Sequence, residues 1–420
     1  MKRFAALFLN KDSAGFWWNM IGSVIYAVTS MLLGTFVIRT LGGDLGGIFF
    51  FAFSTMGQHI YIVSYFGMRP VQITDTARNF SFGDFRKFRI LTCALALICA
   101  CVFAVIYSGM SYKAAVIVVV SLYRILDGLA DVYESEFQRD GRLDMTGKSM
   151  TIRTLIAVAV FTAVMLTTRN LLLSCAAMVI AIAASVFFLE LSALRKLENV
   201  DYSQNADATR RLFDSSKWLF ISAFIDLYIF AASKYAVDAN MSAAASGYYS
   251  TIFIPTSVIN LMANFVIRPV LTGMSDQYND GRTAEFKKSI RSIGTLILVL
   301  TAIGMLAAWL IGIPCLSLLV GSEAGAEIEA YKAALVIVIA GGGLYAVLNL
   351  LYYVLVIIGR QKEMFLVYAG GAVLAFAISG LFVRNWGING AAVSYLICML
   401  VIVIAFAVIA GININRKKDN

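Results

Sequence analysis

The sequence predicts an all-α polytopic membrane protein of about twelve transmembrane helices, in two parallel six-helix lobes with both termini cytoplasmic. Three observations predict it. Apolar residues make up 60% of the 420-residue chain and charged residues 14%, too few polar groups to cover a water-soluble fold of this length. The apolar residues gather in runs long enough to cross about 30 Å of hydrocarbon at 1.5 Å per residue. The positive charge falls on alternate loops, which marks those loops as cytoplasmic.

In order, the expected spans are 14–38, 44–66, 88–108, 114–136, 150–168, 171–194, 217–236, 244–267, 290–312, 332–358, 365–383 and 389–411. With the amino terminus inside, the inner segments hold Lys2, Arg3 and Lys11, then Arg69 to Arg89, Arg139 to Arg153, Arg195 to Lys217, Arg268 to Arg291, Arg360 with Lys362, and Arg416 to Lys418. These segments carry 27 of the 34 basic residues. The outer side keeps Arg39, Lys113, Arg169, Lys234, Lys332 and Arg384, and its longest loop, about 313–331, is acidic through Glu323, Glu327 and Glu329. The opening MKRFAALFLNK has too short an apolar stretch for a signal peptide and no cleavage site, so it reads as an interfacial turn.

The same orientation accounts for the net charge of +9. The basic residues form no continuous patch and no aromatic-interleaved motif, so nucleic acid is not an expected partner. Cys93, Cys99, Cys101, Cys175, Cys315 and Cys398 lie in or beside apolar spans without paired spacing and read as packing residues. A single histidine, His59, excludes multi-histidine metal chemistry, and no GxxxxGK[ST] loop offers a nucleotide site. No metal and no cofactor is expected.

The two halves repeat. Span 2 ends on Arg69-Pro70-Val71 and span 8 on Arg268-Pro269-Val270, 199 residues apart in a chain with four prolines. Trp18 with Trp218, Gly47 with Gly247 and Phe53 with Phe253 fall at nearly the same offset. Gly141-Arg142 after span 4 matches Gly359-Arg360 after span 10 at an offset of 218, the longer outer loop supplying the difference. The expected domains are therefore a lobe over 1–194, a polar cytoplasmic linker over 195–217 and a second lobe over 218–420. Parallel repeats of this kind are a transporter architecture.

Polar groups inside spans mark the candidate site. In span 4, Arg124, Asp127, Asp131 and Glu134 fall on one helical face, while Ile125, Leu126, Leu129 and Val132 take the other. Each charge costs roughly 2.5–3.5 kcal/mol on insertion scales, so the stripe must face protein or a hydrated cavity. Two readings stand: an internal ion pair that staples span 4 to a neighbour, and the lining of a cavity. The 218 offset carries the acids onto Tyr345, Asn349 and Tyr352 of span 10, which also holds Gly341, Gly342 and Gly343, where an interrupted helix would flex. Span 7 adds Asp226, as a cation or proton site or a partner of a base. Span 8 stacks Asn260, Asn264 and Arg268 four apart. Arg69 and Arg268 read either as a basic inner mouth for phosphate or as headgroup anchors. His59 reads as a hydrogen-bonded structural group or a proton relay.

The run Arg39-Thr-Leu-Gly-Gly-Asp-Leu-Gly-Gly-Ile-Phe-Phe, the segment Tyr65-Phe-Gly-Met-Arg69 and the turn Trp386-Gly-Ile-Asn-Gly390-Ala-Ala resemble the polysaccharide-transporter (O-antigen flippase) branch of the multidrug/oligosaccharidyl-lipid/polysaccharide (MOP) flippase superfamily. That resemblance implies two bundles set as a V around a central cavity, in the cytoplasmic membrane of a bacterium. It also implies alternating access and a polyprenyl-diphosphate-linked oligosaccharide as cargo for O-antigen, capsule or wall polymer. Span 4 is net acidic in its inner half, where relatives often carry a cationic cavity, so Arg39, Arg124 and Arg268 become the candidates for the diphosphate. The implied partners are that lipid-linked oligosaccharide and membrane lipids, with a coupling ion (H+ or Na+) and polysaccharide-assembly proteins left open. The alternative within transport is a MATE-like cation-coupled exporter of small organic cations using Asp127, Asp131 or Asp226. A membrane enzyme would need a sizeable outer domain, and the longest outer loop is too short to hold one.

Overall fold

The computed structural model describes residues 13–75, 77–197, 200–267 and 270–416, and every regular element among them is helical. The expected interfacial turn at 1–12 lies outside the described residues, as do Arg268, Pro269 and the side chain of Asn264. Nine of the described helical stretches are long and apolar enough to cross a membrane. The chain divides into two compact units, one of residues 1–41 and 48–224, the other of 42–47 and 225–420.

The first unit runs α1 (Ser13–Leu41), α2 (Gly43–Phe50), a π turn (Phe51–Met56), α3 (Gly57–Tyr65), α4 (Met68–Thr74), α5 (Phe82–Ser108), α6 (Tyr112–Arg139), α7 (Leu143–Thr168), α8 (Leu171–Ser185), a second π turn (Val186–Glu190), α9 (Leu191–Leu194) and the start of α10 (Ala208–Asn240). Helix α6 lies in the middle, packed against α3, α4, α5, α7 and α8. It is buried on its apolar side through Val116, Ile117 and Val120 and on its charged side through Arg124, Asp127 and Asp131. A helix that touches no lipid need not be apolar all round, which is why this 28-residue helix carries its charges. Helices α1 and α7 cross where Gly22 meets Gly147: a Cβ on Gly22 would come within 2.8 Å of the Gly147 carbonyl oxygen, so the backbones touch.

The second unit holds the rest of α10, then α11 (Ala243–Ile252), α12 (Ile254–Ile267), α13 (Leu271–Asn279), α14 (Thr283–Ala307), a π turn (Ala308–Gly312), α15 (Ile313–Val320), α16 (Ser322–Glu329), α17 (Lys332–Ile357) and α18 (Gln361–Arg416). Its central helix is α17, flanked by α12, α14 and α18. Gly387, at φ 56°, breaks α18 between the two spans expected there and within the Trp386-Gly-Ile-Asn-Gly390 turn. The flexible break expected at Gly341–Gly343 is absent: α17 is continuous, and the three glycines admit Tyr395, Thr256 and Thr301 of three neighbouring helices.

The Gly-Arg repeat has a structural cause. Gly141 and Gly359 take φ 76° and 73°, and Arg142 and Arg360 each donate a backbone N–H to the carbonyl five residues back, both at 2.8 Å. This is the Schellman helix ending, in which the left-handed position favours glycine. Gly281-Arg282 forms a third copy with φ 75° and the same 2.8 Å bond. In each copy the arginine then pairs with an acid opening the next helix: Arg142 with Asp144 at 3.1 Å, Arg282 with Glu285 at 3.0 Å and Arg360 with Glu363 at 2.8 Å.

The expected linker 195–217 is shorter than its polar composition suggests, because α10 starts at Ala208. Ala208, Leu212 and Ser216 are buried at a spacing of four, with charged residues between them facing outward, so an amphipathic extension replaces the loop. Residues 201–205 are docked on the start of α5. The Gly83 N–H donates to the Asp201 carbonyl at 3.0 Å, Ser81 Oγ to the Ser203 carbonyl, and the Asn205 N–H to Asp84 Oδ1 at 2.8 Å. Ser81 and Asp84 also form the capping box of α5. Nearby, burial works against the charge on Asp75, but the N–H groups of Asn79 and Phe80, with Arg139, hold its carboxyl below the usual range.

Candidate functional site

The first unit encloses a network of charge built on α6. Arg124 is fully buried. It donates from Nη1 to Tyr26 Oη at 2.7 Å and from Nη2 to the Phe53 carbonyl of the π turn at 3.2 Å, and its guanidinium lies 4.0 Å from the centre of the Phe53 ring. Tyr26 in turn donates to Asp127 Oδ2 at 2.7 Å. Asp127 also meets Arg153 of α7 at 3.0 Å, and Arg153 reaches Glu134 at 2.7 Å and Glu190 of the second π turn. Ser149 donates to the other oxygen of Glu190. Asp131 lies between Arg69 of α4 at 2.6 Å and Arg89 of α5 at 2.8 Å. Arg89 donates to the Ser64 carbonyl at 3.0 Å, tying α5 to the end of α3.

Four arginines, Arg69, Arg89, Arg124 and Arg153, thus face four carboxylates, Asp127, Asp131, Glu134 and Glu190. Both sequence readings of the span 4 stripe assumed one arginine for three acids. Three further arginines arrive from α4, α5 and α7. Arg89 and Arg153, counted among the inner-loop charges, are buried about two and three turns within their helices, and Glu190 carried no signal beyond being a lone acid in an apolar span. Of the eight groups only the Arg69 side chain, a quarter exposed, reaches the surface. Arg124 Nε and Arg89 Nε have no hydrogen-bond partner among the described residues. Arg39 lies outside this cluster, exposed in the last turn of α1, roughly 20 Å along that helix from Tyr26. His59 is buried with Nδ1 3.1 Å from the Thr55 carbonyl and its ring edge-on to Phe224.

The second unit brings together a separate, uncharged-partner cluster. Tyr345 of α17 donates to Asp226 Oδ2 at 2.9 Å, and Tyr368 of α18 lies close to the same carboxyl. Asn349 Nδ2 donates to Asn260 Oδ1 at 2.7 Å, and Tyr352 is half-buried one turn beyond, its ring against Tyr353. No basic side chain among the described residues forms an ion pair with Asp226.

Comparison with known proteins places this geometry. A family model described as polysaccharide biosynthesis protein matches residues 111–315, from the start of α6 into α15. The capsular polysaccharide biosynthesis protein CapF of Staphylococcus aureus is 22% identical over 295 residues, covering 69% of this chain and 73% of CapF. Among solved structures, an inward-facing multidrug resistance MATE family transporter of the MOP superfamily superposes with a TM-score of 0.68 at 12% identity, over 98% of this chain and all of that one. The chain has the fold of these transporters. Lipid II flippase MurJ, in an inward closed conformation, shares the fold with a TM-score of 0.67 at 12% identity, over 92% of this chain and 86% of MurJ. The nine long apolar helices of the described residues suit a multi-pass membrane protein of that fold.

Proposed function

We propose that the protein is a flippase that carries a polyprenyl-diphosphate-linked oligosaccharide across the cytoplasmic membrane by alternating access, for O-antigen, capsule or wall polymer. The observation that carries this reading is the buried arginine cluster inside helices that the sequence assigns to the membrane, in a chain that matches polysaccharide-biosynthesis proteins over 111–315. A sugar diphosphate cannot enter hydrocarbon unaided, and guanidinium forks are suited to hold it. In the present conformation the forks of Arg69, Arg89 and Arg153 hold carboxylates, and that of Arg124 holds the Tyr26 hydroxyl and the Phe53 carbonyl. Arg69, the partly exposed member, is placed to exchange Asp131 for a phosphate first, and the unused Nε–H of Arg124 offers a second donor on the same cluster. Asp127, Asp131 and Glu134 would then hold the arginines in place between cycles, and Arg39 and Arg268 would meet the cargo at the two ends of its path. In the second unit Asp226, Tyr345, Asn349, Tyr352, Asn260 and Asn264 would meet the sugars. With a negative cytoplasm, outward movement of two anionic charges is favoured by about 4–5 kcal/mol at roughly 100 mV.

Asp226 supports a second reading. A carboxyl that accepts from the Tyr345 hydroxyl, with no ion-pair partner among the described residues, suits H+ or Na+, either coupled to lipid flipping or driving efflux of an organic cation. Reconstitution decides between the two. Purified protein in liposomes should expose a labelled polyprenyl-diphosphate sugar to the opposite leaflet faster than protein-free liposomes. No protein-dependent translocation, together with ion-driven efflux of an organic cation, would discard the flippase in favour of the exporter.

A further inference from the structure

We propose that the apolar groove between α12, α14, α15 and α17 is the seat of the isoprenoid chain of the cargo, an inference that rests on the flippase reading above. The groove has a volume of about 440 Å³, and no residue lining it has a side-chain nitrogen or oxygen. Val258 and Met262 of α12 and Ile303 of α14 form its open side and are 44%, 49% and 59% exposed, while Ile259 and Ile339 are more deeply set. Gly304 contributes to its floor, where a Cβ would meet Ile259 at 3.6 Å and Ile339 at 3.7 Å. Residues of such chemistry bind hydrocarbon and nothing polar.

Helix α12 says which hydrocarbon. At 100° per residue, Ile254, Val258, Ile259 and Met262 occupy one half of its circumference, and Thr256, Ser257 and Asn260 the other. The polar half meets α17: Thr256 seats against Gly342, and Asn260 accepts from Asn349 at 2.7 Å. One helix therefore presents a polar cluster on one side and an apolar groove on the other, within the second unit. An amphiphile with a large hydrogen-bonding head and a hydrocarbon tail fits such a helix. In the flippase that amphiphile is the cargo, its sugars toward the Asn260 side and its chain in the groove.

The native Cys315 lines the groove and is exposed, so it can be modified after folding. In protein whose other five cysteines are replaced by serine or alanine, Cys315 is converted to a mixed disulfide with either a methyl or a dodecyl methanethiosulfonate, verified by mass. Transport is then measured with two labelled sugar diphosphates, one on an undecaprenyl chain and one on a two-isoprene chain too short to need the groove. The dodecyl adduct should slow the long-chain cargo at least about tenfold, leave the short-chain cargo unchanged and be reversed by dithiothreitol, while the methyl adduct has little effect. Equal rates for the long-chain cargo with and without the dodecyl adduct overturn the inference. So does equal slowing of both cargoes, which means a general block, or a groove filled by ordinary phospholipid acyl chains. Absence of any transport in the unmodified protein removes the flippase reading itself, and the groove assignment with it.

Discussion

Arg153 touches three carboxylates, and its loss would leave Asp127, Glu134 and Glu190 together with too little positive charge to balance them. Breaking a buried pair from one side costs about 3–5 kcal/mol, so Arg153→Ala should markedly lower the thermal midpoint and the yield of folded protein in detergent. Arg153→Ala/Glu190→Gln should recover part of that loss. Arg69 behaves differently because it reaches the surface. Arg69→Gln should keep the midpoint within a few degrees and reduce flipping several-fold, and unchanged flipping would show that Arg69 is a structural partner of Asp131 only. The stripe of Arg124, Asp127, Asp131 and Glu134 was legible in the sequence because one helix carries all four at its own period. Its partners were not, since they come from five other elements. The rule that orients loops counts arginines near helix ends without saying which way each side chain points, and Arg89 and Arg153 point inward.

The glycines of α17 show the same limit for a helix. A run of three glycines at mid-span reads as a weak point, because the sequence shows a missing side chain but not the neighbour that fills its place. Thr256 fills it at Gly342, where a new Cβ would come within 2.7 Å of Thr256 Cβ. Gly342→Val should therefore destabilise by roughly 1–3 kcal/mol through overpacking, measured as a lower midpoint, and Thr256→Gly in the same chain should recover part of it. Gly370 of α18 has nothing within 4 Å of its Cβ position. Gly370→Ala should be neutral or slightly stabilising, by up to about 1 kcal/mol. A fall in stability equal to that of Gly342→Val would mean that flexibility, not close packing, is what these glycines supply. Element boundaries were legible where hydropathy changes abruptly, as at the end of α5 at Ser108, and illegible at its charged start, six residues before the expected 88, and at Ala208–Lys217, where a charged stretch is helical through burial of only one residue in four.

For the whole molecule the alternation of basic loops makes a prediction of sidedness. Single cysteines at Lys148, Asn205 and Gln277 should resist an impermeant maleimide in intact cells, and those at Met110 and Ala326 should react. Labelling at position 205 from outside would overturn the orientation. The Gly-Arg pair read from the sequence reports a helix ending, since the left-handed position favours glycine, and that ending recurs at Gly281-Arg282. Sequence gave no sign that residues 201–205 are docked, since the bonds run to backbone groups and to a cap 120 residues earlier. That docking has a practical consequence. All of its bonds end by Asn205, so a break in the polypeptide between Ala206 and Asp207 leaves the first fragment with its α5 cap complete. Two separately synthesised fragments meeting at that break should rejoin into a working protein, whereas fragments that part at Tyr202 would each carry away half of the clasp.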